Sequence, residues 1–154
     1  MNDTLELTKR LNALEKEAGD IRKLLTKKSG LITDRLKTFS DVCEELGLDA
    51  AKVLPYPDPQ SDEEHGINAF AKVQLIAKAL NDGWEPNWND EYEYKYYPWF
   101  DMRSAAGSGF SGSDYGIDHT DSAVGSRLCF KTSDLAIYAG NQFEAEYKAL
   151  FTFQ

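Results

Sequence analysis

The stretch Trp84-Glu-Pro-Asn-Trp-Asn-Asp-Glu-Tyr-Glu-Tyr-Lys-Tyr-Tyr-Pro-Trp-Phe100 holds eight of the chain's nineteen aromatic residues within seventeen positions. Tyr92, Tyr94 and Tyr96 alternate with Glu93 and Lys95, the two-residue repeat of a half-buried strand, and Pro98 predicts a sheet edge or a bulge. On this reading Tyr92, Tyr94 and Tyr96 share one face of the strand, while Tyr97 and Trp99 lie on the other. So many rings either build the core or form a recognition surface, and the sequence leaves both open.

Upstream, Phe70, Val73, Ile76, Ala77 and Leu80 fall at the core spacing of a helix over 67–81, with Asn81-Asp82-Gly83 as its stop. Downstream, Phe110–Ile117 and Val124–Lys131 read as two further strands, joined by a turn at Asp118-His119-Thr120-Asp121-Ser122. Arg127 and Lys131 then share one side of the last strand, where cross-strand pairing with acidic groups is expected. Thr132-Ser133-Asp134 caps a closing helix whose Leu135, Ala139, Phe143, Tyr147 and Leu150 form one face. The expected class is α+β: a small antiparallel sheet of about three strands packed by helices.

The N-terminal part has a different pattern. Leu7, Leu11, Leu14, Ala18, Ile21 and Leu25 recur at spacings of four and three, a narrow coiled-coil-like seam along one helix. Charged residues fill its other faces, so this helix needs a partner to be stable in water. A hairpin with the next helix and a homo-oligomer through residues 5–28 both satisfy that need. The next helix is predicted from the hydroxyl of Thr33 to Gly47, with Leu36, Phe39, Cys43 and Leu46 on one face. Residues 55–66 contain three of the five prolines and read as a linker. The expected organisation is a helical unit over 1–54, the linker, and an α+β domain over 67–154.

With 154 residues the chain has the length of one ordinary domain. Its 17 basic and 26 acidic side chains give a net charge of −9, which opposes general binding to a phosphate backbone. Residues 1–60 hold 10 basic and 11 acidic residues, and residues 61–154 hold 7 and 15, so the acidity lies in the C-terminal part. No stretch approaches the ~20 apolar residues of a membrane span. Met1-Asn-Asp-Thr-Leu-Glu6 lacks the basic and apolar regions of a signal peptide, so action in a cytoplasm, away from membranes, is expected. Cys43 and Cys129 lack any CxxC spacing and read as buried reduced thiols.

The candidate sites are weighed against plain structural readings. Trp84, Trp88, Tyr97 and Trp99 are the candidate binding residues. Recognition of a protein is favoured over nucleic-acid stacking, because Glu85, Asp90, Glu91, Glu93 and Asp101 outnumber the nearby cations Lys95 and Arg103. Asp114, Asp118, His119 and Asp121 could supply hard ligands to a divalent metal around an activated water, as in a hydrolase. A hairpin tip needs the same residue types, and that reading is preferred. His65 and His119 stand in polar segments, no Ser or Cys has a recognisable catalytic context, and no cofactor motif is legible.

Ala79-Leu80-Asn81-Asp82-Gly83-Trp84-Glu85-Pro86-Asn87-Trp88, Lys95-Tyr96-Tyr97-Pro98 and Val124-Gly125-Ser126-Arg127-Leu128-Cys129-Phe130-Lys131 resemble a family of small uncharacterised proteins from phages and mobile elements of gut bacteria. The resemblance covers about residues 67–151, with a weaker fit at Thr33–Phe39, and implies a habitat, the cytoplasm of a bacterial host cell, without a catalytic residue. The functional expectation is an accessory protein that acts by protein–protein interaction and without catalysis. A metal-dependent hydrolase and an acidic decoy of a host nucleic-acid enzyme are the alternatives.

Overall fold

The fold is seen in a computed structural model that describes residues 2–28, 30–102, 109–121 and 125–152. Two compact units divide the chain, residues 1–35 and 36–154. The sequence pattern puts the break at 55–66; the packing puts it before Leu36, because Leu36, Val42 and Cys43 are buried within the second unit.

The first unit contains α1 (Asn2–Lys28) and α2 (Ile32–Arg35). The seam residues Leu7, Leu11, Leu14, Ile21 and Leu25 are 51% to 65% exposed, and Ala18 is exposed with them. Among the described residues of this unit no second helix is long enough to pair along the seam. α2 has 4 residues against 27 for α1, about 6 Å of helix against about 40 Å.

The helix expected from Thr33 to Gly47 is in fact two, because Thr38 and Asp41 form a capping box that starts a new one, α3 (Phe39–Glu45). Asp41 N donates to Thr38 Oγ1 at 3.2 Å, and Thr38 N donates back to Asp41 Oδ2 at 2.8 Å. Gly47, at φ +68°, ends the segment in a left-handed turn.

Helix α4 (Asp62–Asn81) starts five residues before Ile67, so the end of the expected linker is helical. Ser61 caps it, and Asp62, Glu63 and Glu64 suit the positive end of its dipole. Its buried face runs through Ala69, Val73, Ile76, Ala77 and Leu80. Phe70, expected in the core, is 41% exposed, since it stands about 100° round the helix from Ala69.

The sheet has two strands among the described residues, β1 (Lys95–Asp101) and β2 (Gly109–Asp118), paired antiparallel. The third expected strand reduces to one bridge, Tyr96 to Phe130, and its first residue, Val124, lies outside the described residues. Tyr96 N donates to Phe130 O at 3.0 Å, and Phe130 N donates to Tyr96 O at 2.6 Å. The residues beside Phe130 bond elsewhere: Asn81 Nδ2 donates to Cys129 O at 2.8 Å, and Lys131 N donates to Asn81 Oδ1 at 3.1 Å. A helix side chain thus satisfies backbone groups on the side of this run that faces away from β1, while Leu128 N, which would continue the ladder, donates to Gly125 O instead. Residues 126–128 form a turn, so the expected cross-strand partners of Arg127 and Lys131 have no strand to meet across, and both side chains are exposed.

Because Tyr96 turns its backbone groups toward Phe130, the pair Tyr96–Ile117 is a non-hydrogen-bonded one, and so is Pro98–Tyr115 two residues on. Pro98 therefore takes no donor from the β1–β2 ladder, and a register shift follows between Trp99 and Asp101. The expected closing helix is two, α5 (Ser133–Gln142) and α6 (Glu144–Phe151), parted at the buried Phe143. Thr132 caps α5 through Leu135 N, as the sequence predicts. Gly140 lets α5 lie close on β1, since a Cβ there would come within 3.1 Å of Pro98 Cβ. Phe130, Phe143, Ile76 and Leu80 lie at the centre of the core, and the Phe100 and Tyr147 rings meet at 5.2 Å beside it.

Candidate protein-recognition surface

Residues 84–94 are loop rather than strand, and they are organised by one side chain. Lys95, which the two-residue repeat places on the face opposite Tyr94 and Tyr96, is fully buried. Its Nζ donates to Asn87 O at 2.8 Å, Glu93 O at 2.9 Å and Asp90 O at 3.1 Å, which uses all three ammonium hydrogens. The Glu93 carboxylate lies 3.2 Å away, and the ammonium sits 5.2 Å from the Trp88 ring centre. The loop wraps this charge because its backbone carbonyls replace water around it. Glu93 also accepts from Asn87 N at 2.7 Å, closing the loop from within.

This arrangement decides where the candidate rings go. Trp88 is half-buried and donates Nε1–H to Ser126 Oγ at 2.6 Å, while Trp84 is half-buried after α4. The Tyr97 ring lies across Gly116, where any Cβ would strike it. Of the four candidates only Trp99 is strongly exposed, at 45%. It shares its strand face with Tyr97 and Lys95, away from Tyr96, Pro98 and Phe100. Tyr92, expected on the strand, stands in a turn and is 82% exposed.

The other face carries a set of rings that sequence spacing does not join. Helix α5 covers its Pro98–Phe100 end and leaves the Tyr96 end open. There Tyr115 meets Tyr96 at 5.4 Å, Tyr96 meets Tyr94 at 6.0 Å, and Tyr94 meets His119 edge-on at 4.8 Å. Ile117 stands opposite Tyr96 and is 42% exposed. The alternation of Tyr115 and Ile117 in β2 was the available signal for this surface. Its continuation into Tyr94 and His119 depends on the Lys95 loop, which no local pattern announces.

The four candidate metal ligands are not brought together. Asp114 and Asp118 are about 13 Å apart along β2. Asp114 Oδ1 accepts from Tyr115 N at 2.8 Å, Asp118 is buried opposite Lys95, and His119 Nδ1 contacts Glu91 O at 3.2 Å. Among the described residues no three His, Cys, Asp or Glu groups are placed to hold a metal ion. Both cysteines are buried, and burial pushes the Cys129 thiol up to about 11, so it stays protonated and a poor nucleophile near neutral pH. Among the described residues no helix is long and apolar enough to cross a membrane.

No family model matches the chain, and no curated protein or solved structure matches it.

Proposed function

We propose that this chain acts by binding protein rather than by catalysis, with association through α1 as its main mode. The supporting observation is the seam: five large aliphatic side chains more than half exposed along one line of a 27-residue helix. An apolar stripe of that length is covered in a working protein, since an isolated helix with so thin an apolar face is marginal in water. The ring surface formed by Tyr94, Tyr96, Tyr115 and Ile117, with Trp99 on the opposite face, is the place for a further protein partner. Work within a phage or mobile element rests on the motif resemblance alone.

Light scattering after size exclusion tests the reading on the intact chain and on a form lacking residues 1–28. Association is expected in the first and lost in the second. A monomer in both at high micromolar concentration overturns it.

A further inference from the structure

We infer that α1 pairs with α1 of a second copy of this chain, parallel and in register, as a two-stranded coiled coil; this rests on the self-association proposed above. The seam assigns the heptad without choice: Leu7, Leu14 and Ile21 are d positions, and Leu11, Ala18 and Leu25 are a positions. Arg10 and Glu17 then flank the seam at g, and Glu15 flanks it at e; all three are exposed.

In a parallel pair each g residue faces the e residue five positions later in the partner chain. Arg10 of one copy then faces Glu15 of the other, twice by symmetry. The sequence repeats the match with opposite sign, because Arg22 follows Glu17 by the same interval. The four contacts are all attractive.

An antiparallel pair with the seams fully overlapped stacks Leu7 on Leu25 and Leu14 on Ala18, and e faces e while g faces g. Glu15 then meets Glu15 and Glu17 meets Glu17, both repulsive. Sliding the helices by one heptad relieves this but leaves part of each seam uncovered. Charge thus selects the parallel form, and the narrow a/d stripe, bordered by these charges, fits one neighbour rather than two.

Cysteine cross-linking in the full-length chain reads the geometry directly. Leu7→Cys, Leu14→Cys and Leu25→Cys are made singly and oxidised mildly; Cys43 and Cys129, both buried, stay silent in the parental control. Each single variant is expected to give a disulfide-linked dimer, because each d or a residue faces its own copy. Arg10→Glu is expected to weaken the pairing by about fivefold to tenfold, and adding Glu15→Arg is expected to restore it. A dimer in which cross-links form only between Leu7→Cys and Leu25→Cys chains overturns the parallel arrangement and leaves self-association standing. A trimeric mass overturns the two-stranded form. A monomer overturns both this inference and the reading beneath it.

Discussion

Asn68 and Asn81 of α4 do the same work on different parts of the chain. Each directs its side-chain amide at backbone outside any helix or strand, donating through Nδ2 and accepting through Oδ1. Asn68 holds Tyr56 by both its groups, at 2.7 Å to Tyr56 O and 3.1 Å from Tyr56 N. Asn81 holds Cys129 O and Lys131 N. One helix therefore anchors both the proline-rich segment and the run that carries Phe130.

Replacing Asn81 with Ala should lower unfolding free energy by about 2–4 kcal/mol, because it leaves a buried carbonyl and a partly buried amide without partners. Asn68→Ala should cost less, about 1–3 kcal/mol, as its bonds are nearer solvent. Urea denaturation measures both, and equal or negligible losses would contradict the anchoring role.

Lys95→Met keeps the apolar stem and removes the charge that three carbonyls surround. The expected loss is roughly 3 kcal/mol, with the carbonyls and the Glu93 carboxylate left unmatched. Trp88 should then emit at longer wavelength and be quenched more readily by acrylamide. Unchanged Trp88 emission would mean that the loop holds its shape without the ammonium.

Stability should fall in alkali through Cys129. Burial holds its thiol protonated to about 11 in the folded chain, whereas an unfolded thiol releases its proton near 9.0. Between those values the unfolded state binds fewer protons, so stability declines as pH rises, by about 2–3 kcal/mol in all. Urea midpoints at several pH values measure the slope, and Cys129→Ala should flatten it in the same range.

The Tyr147 hydroxyl is buried without a hydrogen-bond partner among the described residues, and burial pushes its phenol well above the usual tyrosine value. Tyr147→Phe should leave thermal stability unchanged or raise it, by up to about 1 kcal/mol, since the lost oxygen makes no bond. Tyr147→Ala should cost about 3–5 kcal/mol through the cavity left beside Phe100.

Much of the second unit is legible wherever the pattern is local. The Thr132 cap, the stop after Asn81 and the extent of β2 all follow from side chains within a few residues of each other. The errors arise where a distant group intervenes. Lys95 alternates like a strand residue, yet the loop folded around it takes Tyr92 and Tyr94 out of the strand. Leu128 and Phe130 alternate too, yet Leu128 N turns to Gly125 O, and Pro98, two residues beyond Tyr96, has no N–H with which to extend the ladder. For α1 the seam was plain from spacing alone, and its exposure is what the structure adds.

The carboxylate of Asp114 on the Tyr115 amide has a consequence for any assembly. By the register, that N–H points away from β1, along the outer border of β2. Two copies joined through α1 would hold their sheets at a high effective concentration, where open borders tend to zip together into larger aggregates. Because Asp114 occupies one of the donors such zipping requires and adds a negative charge to the border, such a pair would be discouraged from growing. A pair joined through α1 would on this account keep a fixed stoichiometry rather than grow without end.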